Sequence, residues 1–309
     1  MKNCLITHIG DLDGGFPIIF CNLVFSNTES FSCEVDEIDE ITLEVLSHHE
    51  DYEKIYVVDL CFNESIAKKI NNDDILKNKV LVFDHHASRE PLNKYPFITV
   101  ISEKNGRKEC GTTLFLKYLQ EVTNNEILYK SSLLEMVELV RELDTYDFIE
   151  EKKEDSFKLG DLYNIYGRDN YIENYTNFIK NNNTFFFTEF ENKILDLEKD
   201  RKERYIDEKL ELVKKATIDG IPVGIIFAER YRSDLGHAIV TKMTDIDIAI
   251  IINIGRSVSY RASKDEIDVN VLAVPLGGGG HKHAGGSAIP EGLEEKIVEY
   301  IFKNIKWDK

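Results

Sequence analysis

Apolar positions in the first half of the chain form short continuous runs separated by longer stretches with helical spacing. Cys4-Leu5-Ile6-Thr7, Ile55-Tyr56-Val57-Val58-Asp59-Leu60 and Val80-Leu81-Val82-Phe83-Asp84 are short and apolar without alternation, the pattern of strands buried on both faces of a parallel sheet. Residues 31–35 form a further candidate strand. Residues 14–25 predict a buried helix with Pro17 in its first turn. Asn63-Glu64-Ser65 opens another helix, with Ile66, Ala67 and Ile70 on its apolar side. Helices over residues 112–121 and 133–143 follow, the latter with Leu133, Leu134, Val137 and Val140 at helical spacing. Strands alternating with helices predict an α/β fold whose parallel sheet has right-handed crossovers.

Around residue 188 the pattern changes to Glu, Lys, Asp and Arg, with Phe190, Ile194, Leu197, Tyr205, Ile206, Leu210 and Val213 keeping a helical stripe. A solvated helix bridging two domains accounts for this stretch, and its charge needs no partner. A second α/β pattern begins at Ile218, with strands over 222–227, 246–254 and 258–261 and helices over 234–242, 269–274 and 294–305. The expected organisation is two lobes: a larger N-terminal parallel-sheet domain (1–187), a helical connector (188–215) and a smaller C-terminal α/β domain (216–309).

Composition narrows the class. A chain of 309 residues with 42% hydrophobic content is long enough for two ordinary cores. The cysteines Cys4, Cys21, Cys33, Cys61 and Cys110 are odd in number, lie mostly within apolar runs and form no CxxC pair, so they read as reduced core thiols. The first residues carry no long apolar leader and no segment nears ~18 uninterrupted apolar residues, which predicts a cytoplasmic protein without a membrane partner. A net charge of −18 argues against holding long nucleic acid by its phosphates. A small phosphorylated substrate is compatible with that charge if metal ions supply the positive charge of the site.

Candidate chemistry gathers at the carboxyl ends of the predicted strands, where open α/β sheets bind ligands. His8, Asp11, Asp13 and Gly14 follow the first strand, Asp59 ends the third, and Asp84, His85 and His86 end the fourth. Asp144 ends the helix 133–143, with Asp147 close behind. Each piece has a plain structural reading: Asp-x-Asp-Gly is a common turn, Asp59 suits a helix N-cap, and two histidines can simply cap a strand. His48-His49 is another adjacent pair, but in a polar stretch that reads as surface loop. So many acids on one edge repel strongly without a cation, and Asp and His are ligands for Mn, Fe or Zn. Two ions ~3.5–4 Å apart clamp phosphoryl oxygens and generate hydroxide at neutral pH. Near the C-terminus, Gly277-Gly278-Gly279-Gly280-His281 reads equally as a flexible turn or as a backbone cradle for phosphate.

The set His8-x-x-Asp11-x-Asp13-Gly14, Val58-Asp59, Asp84-His85-His86, Asp144 and Gly277-Gly278-Gly279-Gly280-His281 resembles the DHH phosphoesterase superfamily with its DHH-associated C-terminal domain. The resemblance implies a two-lobed manganese-dependent phosphoesterase with two divalent ions and a substrate held between the lobes. By that resemblance His8 and Asp11 bind one ion, Asp13, His85 and Asp144 the other, and Asp59 bridges them; either Asp144 or Asp147 could fill its place. His86 is expected to contact the substrate phosphate or orient His85, with Asp84 bracing the site. Arg261, Gly278, Gly279, Gly280 and His281 are expected to hold the substrate, His283 being a neighbour. The leading function is a phosphodiesterase of short oligonucleotides that releases mononucleotides by a two-metal hydroxide mechanism, like the nanoRNases, whose homodimer is one option here. A phosphatase of 3′-phosphoadenosine 5′-phosphate, a phosphodiesterase of cyclic or linear dinucleotides, and a non-catalytic nucleotide-binding protein are the other readings.

Overall fold

In the computed structural model, which describes residues 1–147, 153–302 and 305, the chain divides into two units, Met1–Leu195 and Asp196–Lys309. The first unit contains β1 (Lys2–His8), α1 (Leu12–Val24), β2 (Thr28–Cys33), α2 (Ile38–Ser47), β3 (Tyr52–Val58), α3 (Glu64–Asn71), α4 (Asp74–Lys79), β4 (Val80–Asp84) and β5 (Ile98–Val100). A two-stranded hairpin, β6 (Glu103–Lys104) and β7 (Arg107–Lys108), leads to α5 (Gly111–Val122), α6 (Ser131–Thr145), α7 (Lys153–Tyr166) and α8 (Arg168–Asn181). The five-stranded sheet has the order β2-β1-β3-β4-β5, and every neighbouring pair is parallel.

The apolar runs are continuous because both faces of this sheet are covered. Along β3, Ile55 and Val57 enter one core and Tyr56 and Val58 the other; along β1, Cys4 and Ile6 oppose Leu5. This is the two-residue side-chain period of a strand expressed between two layers. One layer is built by Phe16, Phe20, Phe115, Met136 and Tyr171, the other by Ile38, Val45, Ile66, Ile70 and Leu76. Each such fully buried side chain contributes roughly 1.5–3 kcal/mol relative to exposure. All five cysteines are free and buried.

Several expectations need correction. The strand expected at 31–35 runs Thr28–Cys33, and Val35 is exposed. β2 is an edge strand, so pairing with β1 rather than apolar burial sets its limits. Leu134 points outward although it is next in sequence to the buried Leu133. Asp59 does not cap the following helix; Asn63 does, accepting from the Ser65 and Ile66 amides. Four helices were not signalled by spacing: α2, α4, α7 and α8. The last two bury Tyr163, Tyr171 and Tyr175 among many polar residues, which blurs the amphipathic stripe.

Helix α9 (Glu189–Leu210) crosses the division between the units. Phe190 and Leu197 are exposed, so only part of its apolar stripe is used; Tyr205, Ile206 and Leu210, with Val213 after the helix, pack on a core of the second unit. That unit contains β8 (Lys214–Ile218), β9 (Ile221–Phe227), α10 (Arg232–Lys242), β10 (Ile248–Asn253), β11 (Ser257–Ala262), α11 (Asn270–Ala273), β12 (Gly279–His281), β13 (Ala284–Ala288) and α12 (Leu293–Ile301). Its six-stranded sheet, β12-β13-β11-β10-β9-β8, is mixed, with β9 and β10 parallel and the other neighbours antiparallel. The helix expected at 269–274 is the single turn α11 continued by a 3-10 turn, Val274–Leu276. The helix expected at 294–305 ends at Ile301, and residues 303–304 lie outside the described residues. Among the described residues, no helix is long and apolar enough to cross a membrane.

Candidate active site

The strand order places β2 on one side of β1 and β3 on the other, so the connections leaving β1 and β3 diverge at the carboxyl edge of the sheet. That topological switch point opens a crevice in any doubly wound sheet. His8 is the last residue of β1, Asp11 caps α1, and Asp59 immediately follows β3. Asp84 ends β4, one strand further along the same edge.

Asp11 serves both of its candidate roles. Its Oδ1 accepts from the Gly14 amide, as an N-cap should, and its Oδ2 lies 2.8 Å from His8 Nδ1. Asp13 is buried, and its two oxygens accept from the Gly111 and Thr112 amides at 2.6 and 2.8 Å. The start of α5 therefore fixes this carboxylate with backbone donors and the positive end of its dipole. This contact depends on Gly111, where an added Cβ would stand 2.8 Å from both Cβ and backbone nitrogen of Asp59.

Asp59 is the centre of the constellation. It is 2% exposed and holds a left-handed backbone with φ 63°, a conformation Asp tolerates better than most residues. Its Oδ1 is 3.2 Å from His85 Nε2, while its Oδ2 is 3.7 Å from His8 Nδ1. His85 Nε2 also lies 3.5 Å from Asp144 Oδ2 and 3.8 Å from Asp13 Oδ2. Asp84 Oδ1 accepts from the backbone amides of His85 and His86 and pairs with His86 Nδ1 at 2.7 Å. Asp84 thus shapes the turn and holds the ring of His86. Asp147 is turned to Arg141 at 2.8 Å, whereas Asp144 joins His85.

Among the described residues, three groups could each hold a metal ion: His8, Asp11 and Asp59; Asp13, His85 and Asp144; and Asp59, Asp84, His85 and His86. Within each group the candidate ligand atoms all lie within 4.8 Å of one another. The donor chemistry fits a divalent cation, since carboxylate and imidazole are its ordinary ligands. Asp84 Oδ2 and Asp144 Oδ2 are buried with no hydrogen-bond partner, an arrangement that a cation would relieve. Electrostatics agree. Burial, then Asp13, Asp11 and Asp144, hold the Asp59 carboxyl well above its usual range. Burial and the charges of Asp13, Asp11 and Asp84 push Asp144 up to about 9. Without a cation these acids resist ionising together. Burial raises Asp11 as well, but its hydrogen bond to His8 brings it below the usual value. The hydrogen bond to Asp84 raises His86.

In the second unit Arg261, Gly279 and Gly280 line a cavity of about 500 Å³ with Arg232 and Ser233. Arg261 Nη2 donates to Ser233 Oγ, and Arg232 Nη1 donates to Ser257 Oγ at 2.7 Å. Neither guanidinium has a carboxylate partner within ion-pair distance among the described residues. Gly278 and His281 are not among the residues lining this cavity. The glycine run is no bare loop: residues 279–281 form β12, and a Cβ on Gly278 would stand 2.0 Å from the Gly286 carbonyl oxygen. Sequence reasoning missed Arg232, Glu34 (3.5 Å from His8 Nε2) and the Gly111-Thr112 amides. A glycine opening a helix just after the sheet was the available signal for the last.

The chain carries His8, Asp11, Asp13, Asp59 and the Asp84-His85-His86 turn on one edge of a parallel sheet, and its fold is similar to that of a solved DHH domain. Among curated proteins, it is 31% identical over 251 residues to oligoribonuclease NrnB of Bacillus subtilis, a match covering 81% of this chain and 62% of that protein. The match therefore spans less than two thirds of that relative. Among solved structures, the DHH domain of a member of a ribosomal-protein family matches with a TM-score of 0.60 at 14% identity, over 100% of this chain and 88% of that one. A pGpG-specific phosphodiesterase, PggH of Vibrio cholerae, matches with a TM-score of 0.52 at 14% identity, over 98% of each chain. No protein-family model matches the chain.

Proposed function

We propose that this protein is a manganese-dependent phosphodiesterase that hydrolyses short oligonucleotides to mononucleotides. The observation that carries the reading is the placement of Asp59, whose two oxygens face His85 on one side and His8 on the other. A single buried carboxylate between two ligand groups suits a pair of ions. The similarity to an oligoribonuclease supports the substrate class.

His8, Asp11 and Asp59, and Asp13, His85 and Asp144, would hold divalent ions, whose positive charge would polarise a phosphoryl oxygen and favour ionisation of water. The chain's own groups do the rest. The α5 amides hold Asp13, and Asp84 holds the turn that presents both histidines. His86, whose Nδ1 donates to Asp84, can as the imidazolium also donate from Nε2 to a phosphoryl oxygen. In the second unit Arg261 and Arg232, which have no carboxylate partner among the described residues, offer guanidinium groups to a substrate phosphate, and Gly279 and Gly280 line the same cavity. Gly278 serves that wall by letting the chain entering β12 approach Gly286 closely, and His281 is the exposed last residue of β12.

The test is a substrate panel with manganese and, separately, magnesium: labelled RNA and DNA oligomers of two to ten nucleotides, 3′-phosphoadenosine 5′-phosphate and cyclic dinucleotides. Release of mononucleotides from dimers to pentamers is the expected result. Activity confined to the monophosphate ester, or no turnover of any member, would overturn the proposal.

A further inference from the structure

Both nitrogens of the His8 ring have an acid beside them, and the two acids sit in different surroundings. Nδ1 faces the candidate metal group, 2.8 Å from Asp11 Oδ2 and 3.7 Å from Asp59 Oδ2. Nε2 lies instead beside Glu34, 3.5 Å from its Oε2. Gly10 packs against the Cε1–Nε2 edge of the ring, where an added Cβ would stand 3.1 Å from Cε1 and 3.3 Å from Nε2. That close approach limits how the ring can turn, so the division between the two acids is built into the fold.

Strand pairing brings Glu34 to this place. Cys33, the last residue of β2, is the register partner of His8, and the Ile9 amide donates to the Cys33 carbonyl at 3.1 Å. The residue leaving β2 therefore emerges at the carboxyl edge of the sheet, beside the last residue of β1. Its backbone is fixed as well. The Glu34 amide donates to Glu37 Oε2 at 2.9 Å, and the amide of Glu37, which caps α2, donates to the Glu34 carbonyl at 3.1 Å. The Glu34 side chain is 60% exposed and has no Lys or Arg within ion-pair distance among the described residues, so it is left to His8. A carboxylate standing in water there costs little desolvation, and a small side-chain adjustment closes 3.5 Å to hydrogen-bond distance.

A divalent ion held by His8, Asp11 and Asp59 takes the lone pair of the nitrogen that faces it, Nδ1. The neutral ring then carries its one proton on Nε2, and an acceptor at that end fixes this tautomer and raises the basicity of the ligand nitrogen. Asp11 cannot be that acceptor, because its Oδ2 lies on the Nδ1 side and its Oδ1 accepts from the Gly14 amide. Glu34 is the carboxylate placed at Nε2.

We infer that Glu34 is a positioning residue of the candidate metal centre: it accepts the Nε2 proton of His8 and so presents Nδ1 to the ion. The inference rests on the metal-dependent reading above, yet it can fail separately. Calorimetric titration of the full chain, stripped by EDTA and dialysed, with manganese reads it without turnover. Glu34→Ala should weaken manganese binding ~10–100-fold, as loss of an outer partner of a ligating histidine does. Glu34→Gln, whose amide oxygen still accepts from Nε2 but carries no charge, should recover part of that loss. Asp36→Ala, which removes an exposed charge two residues along, should bind manganese as wild type does. In EDTA, Glu34→Ala should melt no lower than wild type, since its side chain is exposed and its role is toward the ion. Unchanged affinity in Glu34→Ala, no recovery in Glu34→Gln, an equal loss in Asp36→Ala, a lower melting temperature for Glu34→Ala in EDTA, or no manganese binding by wild type would overturn the inference. Glu34-dependent manganese binding in a protein that hydrolyses no member of the substrate panel would overturn the proposed function and leave this assignment standing.

Discussion

Asp144 and Asp147 are three residues apart, at the end of α6 and just after it, yet they do different work. Asp144 reaches His85 and keeps one oxygen buried and unbonded, whereas Asp147 neutralises the buried Arg141 and is itself half exposed. From sequence alone either acid could fill the site, because one turn of helix places both near its end. The structure separates them by the guanidinium that claims Asp147. Asp144→Asn should lower kcat/KM by more than the ~10–100-fold that loss of an outer partner costs at a metal site, with manganese affinity falling in parallel. Asp147→Asn should leave turnover intact and destabilise by less than about 1 kcal/mol, because Glu138 still pairs with Arg141. Steady-state kinetics on a dinucleotide together with thermal melts decide the matter; equal loss in both variants would refute the assignment. Asp84-His85-His86 was legible for a simpler reason: an apolar strand that breaks into an acid and two histidines leaves few places for them but its end.

Helix α5 shows what the hydrophobic pattern conveys and what it leaves out. Its apolar spacing announces a helix, but nothing in that spacing says that its first amides will face Asp13, nearly a hundred residues earlier. The close approach is possible because Gly111 has no side chain where Asp59 passes. Gly111→Ala ought to improve intrinsic helix propensity. Here the new Cβ meets Asp59 at 2.8 Å, so the expected outcome is a net destabilisation of ~1–3 kcal/mol by overpacking. Displacing Asp59 by about an ångström should also reduce kcat by roughly 10²-fold. A variant as stable and active as wild type would show that the contact does not constrain the site. The edge strand β2 illustrates the opposite failure: its apolar residues signal a strand at 31–35, but pairing with β1 sets its limits at Thr28–Cys33.

At the scale of the molecule, net charge and local charge act together. A chain of −18 gathers Asp11, Asp13, Asp59 and Asp144 on one sheet edge, where burial and mutual repulsion hold Asp59 and Asp144 from ionising. Cations should therefore stabilise the fold as well as support turnover. Chelation is expected to lower the melting temperature, and manganese at 100 times its dissociation constant to restore about 2.7 kcal/mol. Asp59→Asn should melt higher than wild type in EDTA and respond less to manganese; a metal-independent melting temperature for wild type would count against the site. The sequence by itself determined much of the alternation of strands and helices, α2, α4, α7 and α8 excepted, and with it the parallel sheet of the first unit and which acids and histidines reach its carboxyl edge. These follow from local periodicity and from where apolar runs stop. Only the tertiary structure decided that Asp147 belongs to Arg141, that α5 holds Asp13, that Arg232 joins Arg261 while Gly278 packs on β13, and that Glu34 comes beside His8. Those outcomes depend on contacts between residues far apart in the chain, and no local pattern of hydrophobic and polar positions encodes them.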